Sequence, residues 1–164
     1  MVEERGRVPV KRFIGIDPGS SSGAIAMITE DGVIELYPLE KEILKQCCRD
    51  WAFDDCQVCL EKVGVMPGQG IVSMGSFMKS VGYICGVLEA FGLPYQEIPS
   101  PKWKREFGCN LGKGATTKEK KAKDVEVCRK LYPNISLKKT ERCKTDDSNL
   151  ADALLLATYA KRRF

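Results

Sequence analysis

Histidine is absent from the 164 residues of this chain. Zinc therefore loses its usual nitrogen ligand, and the Cys56-x-x-Cys59 pair finds no convincing partners. CQVCLEK has the character of a strand rather than of a zinc knuckle, and the adjacent thiols of Cys47 and Cys48 would point about 100° apart on a helix. Also missing is any apolar run approaching the ~20 residues of a membrane span, and MVEERGRVPV lacks the apolar core of a secretory signal. No internal repeat, linker or second domain is visible. The expectation is a soluble chain of intracellular type, with a tail over 1–12, one domain over 13–164 and no membrane partner.

Cysteine, by contrast, is plentiful at eight residues. Several lie in apolar periodic segments, where a free thiol behaves as a small hydrophobe, so a reducing compartment fits better than a disulfide scaffold. The net charge is only +4, but it is unevenly spread. Residues 102–144 hold 14 Lys and Arg against 5 Asp and Glu, which leaves the rest of the chain acidic. A basic surface that attracts a polyanion, set beside an acidic one that holds cations, would have this composition. A solvated lysine-rich helix face would have it too.

Apolar alternation predicts strands over KRFIGID (11–17), GAIAMIT (23–29) and VIELYPL (33–39). The turn PGSSSG separates the first two, and Asp31-Gly32 marks a hairpin between the second and third. An amphipathic helix over 40–52 and a fourth strand, QVCLEKV (57–63), follow. A helix between strands implies a crossover, so the fourth strand should run parallel to the first. Apolar residues at spacings of three and four predict a long helix over 71–91, ended by Gly92 and Pro94. YQEIPS (95–100) is a short fifth strand. Ser100 and Pro101 suit the N-cap and first turn of a helix through Phe107. A Gly-rich loop (108–117), a helix over 118–132 and a last helix over 148–162 complete the chain. The fold class is α/β, a five-stranded mixed sheet in the order βββαβαβ followed by helices, with helices on both faces.

The acids are the informative residues. Asp17 ends the first strand, and Glu61 stands near the end of the fourth, after an apolar run in which an unpaired carboxylate costs several kcal/mol. If those strands are parallel neighbours, both carboxylates project at one end of the sheet. Asp146, Asp147 and Asp152 bracket the start of the last helix, which packing could bring to the same edge. Clustered carboxylates stay ionised together only with cations among them, and oxygen ligands favour Mg²⁺ or Mn²⁺. Two such ions about 4 Å apart are a standard arrangement for phosphodiester hydrolysis. Taken singly, Asp17 and Asp147 have ordinary capping roles and Asp152 an ordinary solvated one.

The segments FIGIDPGSSSGAIAMI, CLEKVGVMPGQG with the helix after it, IPSPKWK and DDSNLADALLLATYAKR together resemble the RuvC-type Holliday junction resolvases of the RNase H-like superfamily. The nearest likeness is to the branch of the plant chloroplast resolvase and related phage and bacterial proteins. The resemblance places the family's acids on Asp17, Glu61 and Asp152. Bacterial members carry an acid or His three residues before the last acid, where this chain has Asn149. The chloroplast-type pattern puts the third acid on Asp147, with Asp146 in reserve. It implies a homodimer that binds a four-way DNA junction and makes paired nicks using two Mg²⁺ or Mn²⁺ ions. The long helix would supply much of the dimer interface. Lys62, Lys79, Lys102, Lys104, Lys113, Lys118, Lys120 and Lys121 would hold phosphates, with Trp103 either a stacking residue or simple core. The loop Pro67, Gly68, Gln69, Gly70 would enter the junction centre. The resemblance admits a chloroplast if a transit peptide has been removed, and otherwise a bacterial cytoplasm and nucleoid or a phage-infected host. The alternatives are an RNase H-like nuclease for flaps or RNA–DNA hybrid, and a non-catalytic junction-binding protein. An actin-like ATPase, suggested by GIDPGSSSG, needs a duplicated fold and a longer chain.

Overall fold

Strict alternation along β1 (Lys11–Asp17) sends Phe13, Gly15 and Asp17 to one side of a sheet and Ile14 and Ile16 to the other. The computed structural model of the chain describes residues 8–19, 22–64, 68 and 70–164. β2 (Ala24–Thr29) and β3 (Ile34–Pro38) continue the antiparallel meander, and β4 (Asp55–Lys62) and β5 (Tyr95–Pro99) join in parallel. The strand order is β3-β2-β1-β4-β5, the mixed five-stranded sheet that the sequence predicts. β1 begins at Lys11, so the strand starts inside the stretch read as a tail.

Helices cover both faces. α1 (Lys41–Trp51) and α2 (Ile71–Ala90) pack on the side of Ile14, Ile16, Val58 and Leu60. α3 (Ser100–Glu106), α4 (Thr117–Leu131) and α5 (Ser148–Arg163) occupy the side of Phe13 and Cys59. α5 is buried at every position from 150 to 160, as a helix apolar almost all round must be. It runs antiparallel to β1: its start lies by Asp17, while the Lys11 ammonium donates to the Phe164 carbonyl at the other end.

α5 also lies against β1 with no side chain between them. A Cβ on Gly15 would stand 2.1 Å from the Ala153 carbonyl oxygen and 2.4 Å from the Ala157 nitrogen, so only glycine fits there.

Some local readings need correction. α3 starts at Ser100 with Pro99 as its N-cap, one residue earlier than the Ser-Pro signal suggests, because β5 runs straight into it. Thr116, read as loop, caps α4 in a reciprocal box: its N–H donates to Glu119 Oε2 at 2.7 Å, and the Glu119 N–H returns to Thr116 Oγ at 3.2 Å. The expectation that no apolar run approaches a membrane span fails at α2, where Lys79 and several glycines interrupt the apolar pattern. This helix is long and apolar enough to match a membrane span in length and composition. Ile71 and Val72 at its start are 91% and 86% exposed.

Candidate active-site cleft

The parallel pairing of β1 and β4 sets Gly15 beside Cys59 and Ile16 beside Leu60, so one step further Asp17 and Glu61 project side by side. Asp152, in the second turn of α5, reaches the same place because the Gly15 contact seats that helix directly on the strand. The three acids line a cleft of about 800 Å³ at the C-terminal ends of the parallel strands, together with Lys62, Phe77, Lys104, Lys120, Lys121 and Asn149.

Burial is shared out differently from the sequence expectation. Asp17 and Asp152 are the sequestered acids, at 5% and 8% exposure, whereas Glu61 is only half-buried. β4 ends at Lys62, so Glu61 lies where the strand meets the cleft mouth. Burial, then the neighbouring Glu61, pushes the Asp17 carboxyl from 3.8 up to about 8, although its Oδ1 accepts the Gly19 N–H at 3.0 Å. Asp152 is raised well above the ordinary carboxylate value by burial. Lys104 counteracts that rise, while Asp124, Asp17 and Glu61 add to it. Among the described residues, Asp152 Oδ1 has no hydrogen-bond partner.

These observations fit a divalent cation. An orphaned buried carboxylate oxygen beside two further acids is relieved by positive charge, and hard oxygen donors without nitrogen or sulfur suit Mg²⁺ or Mn²⁺. Among the described residues, no three acidic, cysteine or histidine side chains converge closely enough to enclose an ion. The arrangement therefore suits an ion held by one or two carboxylates with water completing its shell, as Mg²⁺ usually is.

Asp147 caps α5, with its Oδ1 accepting the Asn149 N–H at 2.8 Å, and it does not line the cleft. Asp146 accepts a hydrogen bond from Arg129, and that bond, together with the guanidinium charge, holds its carboxyl below the ordinary range. Asn149 does line the cleft. Its amide is committed to the Ser22 carbonyl at 2.7 Å and the Ser22 hydroxyl at 3.0 Å, tying the β1–β2 turn to the helix start.

Of the lysines singled out in the sequence, Lys62, Lys104, Lys120 and Lys121 border the cleft. Lys79, Lys102, Lys113 and Lys118 are exposed elsewhere, Lys102 on a neighbouring surface with Arg105 and Arg163. Gly68 and Gly70 are exposed, while Pro67 and Gln69 lie outside the described residues. Trp103 is fully buried, which removes it as a stacking surface for a base. One cleft-side acid went unnoticed in the sequence. Asp124 on α4 is fully buried and accepts from Lys104 Nζ at 2.6 Å. Its signal was its position one helical turn before Cys128, on the apolar stripe of an otherwise lysine-rich helix.

No protein-family model and no curated protein matches the sequence. Solved structures do. The chain superposes on Thermus thermophilus RuvC with a TM-score of 0.51 and 15% sequence identity, over 90% of each chain. It superposes on T. thermophilus RuvC in complex with Holliday junction substrate with a TM-score of 0.54 and 13% identity, over 94% of this chain and 96% of that one. At such identities the likeness shows the fold, an RNase H-like α/β fold of RuvC type.

Proposed function

We propose that this chain is a structure-selective endonuclease that resolves four-way DNA junctions by paired nicks. One observation carries the reading: Asp17, Glu61 and Asp152 line one cleft rimmed by Lys62, Lys104, Lys120 and Lys121. A cation-seeking floor inside a phosphate-seeking rim is what phosphodiester hydrolysis requires. The junction-bound RuvC structure, which shares the fold, supports the choice of a four-way junction as substrate.

In this reading Asp17, Glu61 and Asp152 hold two Mg²⁺ or Mn²⁺ ions, which activate water and stabilise the leaving oxygen when bound. The rim lysines neutralise the phosphates of the strand and set its register. Asp147 is the proposed fourth ligand, in the pattern of the chloroplast-type branch, and reaches the cleft only by releasing its cap. Asp147→Asn tests that role, because Asn caps as well as Asp. Ligation predicts a fall in cleavage with an unchanged Tm, whereas capping alone predicts that both stay unchanged.

The proposed enzyme is a homodimer joined through α2. Ile71, Val72 and Met78 are exposed on it, and Gly75, Gly82 and Gly86 have open space where a Cβ would stand. All eight cysteines are free and most are buried, which supports a reducing, intracellular setting.

The deciding experiment offers four-way junctions, flaps, duplex and RNA–DNA hybrid side by side with Mg²⁺ or Mn²⁺ and maps the nicks. Symmetric nicks confined to the junction support resolution. Cleavage of flaps or hybrid redirects the reading to another RNase H-like nuclease, and binding without any nick to a junction-binding protein.

A further inference from the structure

Asp124 is 0% exposed, and nothing in the proposed reaction uses it. Its Oδ2 accepts from Lys104 Nζ at 2.6 Å, and the Cys109 thiol also interacts with the carboxylate. A buried ion pair is a poor device for stability, since desolvating both charges costs several kcal/mol and apolar residues of similar volume often do as well or better. The surroundings are largely apolar: Trp103 lies under the Lys104 ammonium at 5.0 Å, and Cys109 and Cys128 are near enough to feel the Asp124 charge.

The other end of the pair explains it better. Lys104 lines the cleft, and its ammonium acts on Asp152, Glu61 and Asp17. The surface pairs Lys130–Glu126 and Arg163–Glu106 leave their cations largely in solvent, and neither borders the cleft. An ammonium has three protons, and Asp124 takes one. Without that tether, a flexible four-carbon stem would be drawn onto Asp152 or Glu61 and would fill the space that the carboxylates offer to a cation.

We infer that Asp124 is a positioning residue: it anchors the Lys104 ammonium in the cleft wall, held back from Asp152 and Glu61 and facing the path of a bound strand's phosphate. The catalytic half of this inference rests on the nuclease reading above, whereas the anchoring half does not.

The test compares wild type with Asp124→Asn, Asp124→Leu, Lys104→Met and the double variant Asp124→Asn/Lys104→Met, all in the full chain. Asp124→Asn lowers the saturating rate of junction cleavage about tenfold and leaves KM within about twofold. Asp124→Leu loses the same rate with an unchanged or higher Tm, so a folding defect cannot account for the loss. The double variant is no slower than Lys104→Met alone. Acetylation by an N-hydroxysuccinimide ester, read by mass spectrometry, proceeds severalfold faster at Lys104 in Asp124→Asn than in wild type, with Lys102 as the unchanged internal control.

Equal acetylation at Lys104 overturns the anchoring. A wild-type saturating rate in Asp124→Asn, or a further loss in the double variant, overturns the link to cleavage. If wild type itself cuts no junction, the nuclease reading falls and the catalytic half with it, and the acetylation result alone decides whether Asp124 anchors Lys104.

Discussion

The two faces of the central sheet are built from the same strands and have almost nothing else in common. Ile14, Ile16, Val58 and Leu60 meet α1 and α2 in an apolar contact cushioned by the thiols of Cys47, Cys48 and Cys56, and at its edge the enclosed Asp54 carboxylate is matched by Arg12 at 2.6 Å. The intervening residues of the same strands, Gly15, Asp17, Cys59 and Glu61, face α5 and end in a cluster of acids. The two-residue period thus separates the work: one face contributes burial, and the other accepts the cost of bringing like charges together. Burial drives the thiols of Cys47 and Cys56 up to about 12 and that of Cys48 up to about 11, so they serve as apolar filling.

Substitutions at the acids should give the largest effect and the clearest contrast between the faces. Asp17→Asn or Glu61→Gln is expected to cut junction cleavage about a thousandfold, roughly 4 kcal/mol of barrier, while junction binding in gel-shift assays persists. Wild-type cleavage in either variant would remove that residue from the site.

Next come paired changes one residue apart on β1. Ile16→Ala opens a cavity on the apolar face and should cost about 2–5 kcal/mol in denaturant melts, leaving the cleavage rate of the folded protein within about twofold. Gly15→Ala drives a methyl into the backbone of α5. It should cost about 1–3 kcal/mol and in addition depress cleavage, because the shift displaces Asp152. Equal activity losses in the two variants would mean that the faces are not functionally separate.

A smaller effect is expected at the rim. Lys120→Ala and Lys121→Ala should each weaken junction binding severalfold and lower the slope of log affinity against log salt by about one. An unchanged slope would take that lysine off the phosphate path.

The smallest effect is on thermal stability. The Asp17 carboxyl titrates near 8 in the fold and near 3.8 when exposed, so the folded state keeps a proton that the unfolded chain has lost. Its contribution to stability is full below pH 3.8 and drains away as the pH rises towards 8. A cation replaces that proton, so Mg²⁺ should raise the Tm by a few degrees at pH 8.5 and by less at pH 6. An equal shift at both values would mean that the ion binds elsewhere.

Much of this was legible from alternation and connectivity. The period of β1 and the crossover through α1 sufficed to place Asp17 beside Glu61, and the apolar run after Asn149 to pack α5 on the sheet. The division of burial among the acids was not legible, because it depends on where β4 leaves the sheet and how closely α5 approaches β1, which are properties of packing rather than pattern. Asp124 escaped for a related reason. In sequence it is one acid in a lysine-rich helix, and only the meeting of α3 with α4 shows that it is enclosed and already paired. Asp147 shows the converse: its position in the sequence suits a ligand, while its oxygen is taken up by the helix terminus.

The contact at Gly15 works like a machinist's spacer. Most active-site separations pass through side chains, whose rotamers leave play of an ångström or more. Here the strand that carries Asp17 and the helix that carries Asp152 touch main chain to main chain, two residues before the one acid and one residue after the other. The span between these carboxylates is therefore gauged by backbone thickness, a dimension that few substitutions elsewhere in the molecule can alter.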